Sequence, residues 1–309
     1  MDKSCPNQTF KRHKAVADEK KELEPEKHFE AIARTLYAQE FSWDIERALE
    51  FALFRTYAVP SISGLLAKTG EFNQRTRKRY DDTELILAEA LEHGLDSTRG
   101  QAAIDRMNEM HRRFAIKNED MLYVLSTFVC EPIRWLHRFG RRAMTPDEQR
   151  AWFLYYRGLG ERMGIWGIPD TLAELVRWNA AYEVVHFRFA ESNRQIAVAT
   201  SDLLLGFYSP RWLFWAGRPV VRAFLDDPLL ESMGFKPAPF WLKTAVLATM
   251  RIRSGALKLL PKRRHPRLLT QLPRPTYPEG YRIEELGTRC THRRQEAPPP
   301  QKELQGDGG

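Results

Sequence analysis

Arg79 and Thr83 stand four residues apart, and His111 follows twenty-eight residues after Thr83. A guanidinium, a hydroxyl and an imidazole are the groups that hold an anion, pass a proton and ligate a metal. His111 lies within RGQAAIDRMNEMHRRF, residues 99–114. Read at helical period, Ala103, Ile104, Met107, Met110 and Phe114 form one stripe, and His111 shares it. An imidazole on an apolar face must find a hydrogen-bond partner or a metal. A backbone carbonyl is its ordinary partner. Arg79 and Thr83 head a second stripe that continues through Ile86, Leu87, Ala90 and Leu91. An arginine there must reach solvent or meet a buried anion, while a threonine can bond its own helix. Taken alone, each of the three reads as structural.

One further constellation carries metal chemistry. Glu183-Val184-Val185-His186 is an ExxH, the spacing used by di-iron carboxylate bundles, but such a site needs two of them and only one occurs. Other signatures are missing from the sequence: no glycine-rich phosphate loop, dinucleotide fingerprint, HExxH, CxxCH or GxSxG. Cys5, Cys130 and Cys290 are far apart, which argues against a disulfide framework and a structural zinc site and suits a reducing compartment.

The elements that must position these residues are helical throughout. Phe29, Ile32, Ala33, Leu36 and Tyr37 make a stripe from His28 onward. Ser42 reads as the cap of a helix carrying Ile45, Leu49, Ala52 and Leu53, which Pro60 interrupts. The Arg79 helix is closed by Gly94. Asn118, Glu119 and Asp120 open another helix, which Pro132 should kink or end. Thr145-Pro146-Asp147-Glu148 and Thr171-Leu172-Ala173-Glu174 are capping boxes. Ala197–Tyr208, Trp212–Leu225 and Phe240–Leu260 also read as helices, and no stretch alternates with period two. The expectation is an all-α fold, a single large orthogonal bundle over residues 28–260. A charged arm, 1–27, should precede it, and a basic, proline-rich extended tail, 261–309, should follow.

The ordered set of residues resembles the family of the MpaB oxygenase and the rubber oxygenase called latex clearing protein. It comprises the Arg79-x-x-x-Thr83 pair, His111, the run Ile116–Leu125, Phe139-Gly140-Arg141-Arg142 and Thr145–Glu148. Met163-Gly164-Ile165, Ile168-Pro169 and Tyr182-Glu183 look more like the MpaB branch. The resemblance covers residues 30–250. It implies a b-type haem between central helices, with His111 matching the family's axial ligand to the haem iron. Arg79 and Thr83 match the polar pair across the gap, where Arg79 would meet a carboxylate, a haem propionate or oxygen, and Thr83 would donate or relay a proton. Dioxygen or peroxide and a small hydrophobic substrate, isoprenoid or unsaturated-lipid in kind, are the implied partners, with oxidative cleavage of a C=C bond the implied reaction. One departure stands out: the rubber oxygenases can carry a distal lysine just before the threonine, and here that position is Asp82.

The net charge of +8 permits an anionic partner without naming one. The cluster Lys262–Arg267, KRRHPR, has no nucleic-acid recognition motif beside it, so no nucleic acid is expected. No apolar run is long enough to span a membrane, so the expected location is cytoplasmic, with peripheral membrane contact left open. Trp212–Leu225 and Trp241–Leu260 mix aromatics, leucines and arginines. Buried helices with outward arginines are the expectation for both, and a lipid surface is the alternative. A non-catalytic haem- or lipid-binding protein on the same fold, and a di-iron oxidase using Glu183 and His186, are the rival functions.

Overall fold

A computed structural model describes residues 23–71 and 75–287; the arm before residue 23 and the tail after residue 287 lie outside the described residues. Twelve α-helices occur among the described residues, with no strand beyond one isolated bridge, Arg274–Tyr277. They are α1 (Pro25–Thr35), α2 (Ser42–Tyr57), α3 (Pro60–Lys68), α4 (Thr76–His93), α5 (Thr98–His111) and α6 (Asn118–Phe139). Then come α7 (Pro146–Arg162), α8 (Leu172–His186), α9 (Glu191–Gly206), α10 (Phe214–Arg222), α11 (Asp227–Ser232) and α12 (Phe240–Leu259). The fold is all-α, as the sequence pattern predicts.

Local chemistry sets several of the boundaries. Both capping boxes form: Thr145 and Thr171 each accept from the backbone N–H three residues on, and Glu148 and Glu174 return the bond. Gly94 ends α4 at φ 97°, a left-handed value that suits glycine. Two expectations change. Ser42 does not cap α2; its buried hydroxyl has no partner, and the helix follows directly from a π-helical turn over Leu36–Glu40. Pro132 does not end α6, which continues to Phe139. The helix tolerates it because packing on both sides holds the chain; Pro132, Trp135 and Leu136 are all buried.

Neighbouring helices bury the apolar stripes: α1 packs against α7, α2 against α6, α4 against α5 and α3 against α9. The largest fully buried side chains are Trp152, Tyr57, Tyr123, Tyr155, Phe41 and Phe54.

The segment after Pro261 returns to the bundle rather than leaving it. Arg267 N–H donates to the Ala38 carbonyl (2.6 Å), and its guanidinium pairs with Glu46. Glu92, buried on α4, accepts from Leu269 N–H (2.6 Å) and the Thr270 hydroxyl (2.6 Å). Further along, Thr276 bonds Asp81 (2.5 Å), Tyr277 bonds Asp82, Arg274 pairs with Glu84, and Tyr281 donates to Glu89 (2.6 Å). Leu286 is fully buried, and its carbonyl accepts from Arg106. Gly287 closes the strap at φ 82°; a Cβ there would fall on Met110 Sδ. Residues 267–287 thus form a strap along α4, anchored on acids that α4 could not otherwise bury.

The Trp212–Leu225 and Trp241–Leu260 stretches depart from expectation. Only Val221 of α10 and Met250 of α12 are buried, and Trp212, Trp215, Trp241 and Ile252 lie at the surface. Composition cannot separate an apolar side chain that packs from one that faces outward.

Candidate functional site

α4 and α5 run side by side, and between them, α3 and the start of α6 lies a cavity of about 510 Å³. That is within the range of small-molecule and cofactor sites. Arg79 and Thr83 line it from α4, Met107, Met110 and His111 from α5, and Met121, Val124, Leu125 and Phe128 from α6. The three residues singled out by spacing therefore share one cavity. Helical period explains this: Arg79, Thr83, Ile86 and Leu87 recur on one side of α4, and Met107, Met110 and His111 on one side of α5.

His111 is the last helical residue of α5. Its Nδ1 is buried with no hydrogen-bond partner. The backbone carbonyl that an ordinary core histidine would use is not within reach. Burial, aided by the positive charge of Arg79, pushes its pKa down to about 4, so the ring is neutral at physiological pH. A neutral imidazole with an unpartnered nitrogen is the form that ligates a metal. Arg79 has no carboxylate partner among the described residues, and its charge is felt by both His111 and Tyr57. Thr83 donates its hydroxyl proton to the Arg79 carbonyl (2.8 Å), leaving an oxygen lone pair for other partners. Its hydrogen bond is the helix-internal one, so a proton relay through Thr83 requires the hydroxyl to turn.

Two groups of residues beside this trio carry no signal in the sequence. Tyr57, fully buried at the end of α2, lines the cavity, and burial pushes its pKa up to about 12. A buried acid cluster stands behind Thr83, around a small cavity of about 50 Å³ lined by Glu46, Glu50, Tyr80, Thr83 and Glu84. Tyr80 donates to Glu50 (2.7 Å), and burial raises the Glu50 pKa to about 7. These carboxylates come from α2 and α4, and only tertiary contact brings them together.

Comparison with known proteins gives the family. Residues 52–273 match the family described as "ER-bound oxygenase mpaB/B'/Rubber oxygenase, catalytic domain". The chain belongs to this family. The ER-bound oxygenase mpaB' of Penicillium brevicompactum is 30% identical over 71% of the chain and 57% of its own length. The ER-bound oxygenase mpaB of Penicillium roqueforti is 30% identical over 63% of the chain and 71% of its own length. The chain thus spans little more than half of the first of these relatives. The family is described as one of oxygenases, which are oxidoreductases.

Within the mpaB and rubber-oxygenase family, the departure at Asp82 has a structural counterpart. Asp82 is buried against Lys78 Nζ (2.7 Å) and the Tyr277 hydroxyl, and neither Asp82 nor Lys78 lines the cavity. No lysine ammonium of α4 reaches the site. The ExxH pair is used elsewhere. Glu183 receives Arg55 through two bonds (2.7 and 2.5 Å) and Tyr123 (3.1 Å), and His186 stacks on Tyr182. Among the described residues no group of three His, Cys, Asp or Glu side chains could hold a metal ion, so the di-iron alternative lacks its ligands. Cys130 is buried, and its thiol pKa is pushed up to about 12 by burial, as befits packing rather than reactivity.

The donor set fits a haem. His111 lines the cavity with Met107, Met110 and apolar side chains, and Arg79, Lys68 and Lys117 are cations on the same lining that could meet a haem's carboxylates. No helix among the described residues is long and apolar enough to cross a membrane.

Proposed function

We propose that the chain is a haem b-dependent oxygenase acting on a hydrophobic substrate, isoprenoid or unsaturated-lipid in kind, with oxidative cleavage of a C=C bond as the reaction. The observation that carries this reading is His111: a neutral, half-buried ring whose Nδ1 has no partner, on the same cavity as Arg79 and Thr83. A bound haem would supply activation of dioxygen or peroxide at its iron. His111 would hold it through a ring nitrogen. Arg79, with no carboxylate of its own, would hold an anion at the cavity wall. Met107, Met110, Phe114 and Leu125 would exclude water and accept an apolar chain. Glu50, with its pKa near 7, can store a proton behind Thr83 near neutral pH, and Tyr80 bonds it there. The fungal relatives are named as ER-bound, and peripheral membrane contact would deliver a lipophilic substrate to such a cavity.

An absorption spectrum tests the cofactor. Protein supplied with haem should show a Soret band, and His111→Ala should lose it. Arg79→Ala should keep the band and lose turnover by about a hundredfold. A His111→Ala variant that retains full haem would overturn the ligand assignment. Haem retained without oxygen-dependent product, across a panel of isoprenoids and unsaturated lipids, would make the chain a binding protein instead.

A further inference from the structure

We infer that the outer face of α12, together with the tryptophans before and within α10, docks on an anionic lipid surface. The face is read from α12 itself. Trp241, Ala245, Ala248, Ile252, Ala256 and Leu259 recur every three or four residues and are all exposed, with Trp241 at 70%, Ile252 at 72% and Leu259 at 88%. The opposite side, with Leu247 and Met250, packs on the bundle. A helix that turns apolar side chains both inward and outward gains nothing from water on the outer side. α10 packs against α12, and beside it Trp212 and Trp215 are 71% and 75% exposed.

Charge names the occupant. Residues 236–267 contain nine Lys and Arg side chains and no Asp or Glu. Arg253, Lys262 and Arg267 pair with Asp44, Glu40 and Glu46. Arg251, Lys258, Arg263 and Arg264 have no acidic partner among the described residues, and all four are exposed. Arg251 and Lys258 flank the apolar stripe one turn-pair apart. Exposed indole and alkyl groups bordered by unpaired cations are what an interfacial helix presents to acidic headgroups. A second copy of the chain is a poor occupant, because a two-fold contact would set the same unpaired cations against themselves. One helix separates α10 from the cavity, since α10 packs on α9, whose Thr200 and Leu203 line the cavity wall. The use of the surface for substrate capture rests on the lipophilic-substrate reading, whereas its affinity for lipid does not.

Vesicle co-sedimentation of the purified chain, without substrate, tests the surface. Vesicles of phosphatidylcholine with a third phosphatidylserine should bind it, and phosphatidylcholine alone should bind about a hundredfold more weakly. Arg251→Gln, Lys258→Gln and Arg263→Gln combined should reproduce that loss on the anionic vesicles. Trp241→Ser with Ile252→Ser should weaken binding about tenfold or more, with thermal unfolding of each variant unchanged because the residues are exposed. Failure to bind either vesicle, or equal binding to both, would overturn the inference. So would a concentration-dependent dimer in lipid-free solution that Trp241→Ser dissolves. Vesicle binding without turnover would leave the surface standing and remove the oxygenase reading; turnover without binding would do the reverse.

Discussion

α4 and α12 are both long, both rich in charge, and treated in opposite ways. α4 carries Asp81, Asp82, Glu89 and Glu92, each at most 4% exposed, and the chain returns from residue 267 to 287 to meet them with hydroxyls, N–H groups and arginines. α12 carries cations and no acid, and among the described residues its outer face stays exposed. A buried charge without a partner costs several kcal/mol, so the fold supplies partners wherever it buries one. An exposed charge beside exposed apolar surface costs the fold little. The difference separates charge used for holding the chain together from charge left available to something outside it.

The comparison can be broken first at its strongest point. Glu92→Ala leaves the Leu269 and Thr270 donors buried and unpaired, and should cost about 3 kcal/mol. Chemical denaturation measures it. A cost under about 0.5 kcal/mol would mean that the strap does not hold α4. Next comes Glu50, in the acid cluster that α4 shares with α2. Its folded pKa of about 7 lies above the ordinary 4.5, so folding favours its protonated form. Its contribution is complete below pH 4.5 and is lost as pH rises to about 7, on the order of 3 kcal/mol, the Arg47 ion pair already being part of the shift. Glu50→Gln should flatten the stability profile over that window, and an unchanged slope would remove Glu50 as its source. The smallest effect belongs to α12. Ile252→Ser should change stability by less than about 0.5 kcal/mol, since the side chain is largely in water. A loss of 2 kcal/mol there would show the face to be covered.

Much of this arrangement was legible in the residues. Arg79, Thr83 and His111 fall on one cavity because periodicity places each on the inward side of its helix, and two adjacent helices then do the rest. The capping boxes at Thr145 and Thr171 and the stop at Gly94 are local, so they form as read. The strap was not legible. Its bonds join Glu92 to Leu269 and Glu89 to Tyr281 across more than 170 residues, with no period to announce them. Ser42 failed as a cap because a π-helical turn already occupies the approach to α2. The outward face of α12 stood only as the alternative, for a different reason: the same alternation of leucine, tryptophan and arginine suits a packed helix and an exposed one, and only the neighbours decide.

Gly287 carries the strap to its last described residue, held by Lys78 through its carbonyl (3.2 Å) and pressed close to Met110. Met110 is a wall of the cavity and the immediate neighbour of His111. The shape of the space beside the imidazole is therefore set in part by a glycine 176 positions downstream. Shortening the polypeptide before that point, or placing any larger residue there, would reshape a binding chamber that neither change touches on paper.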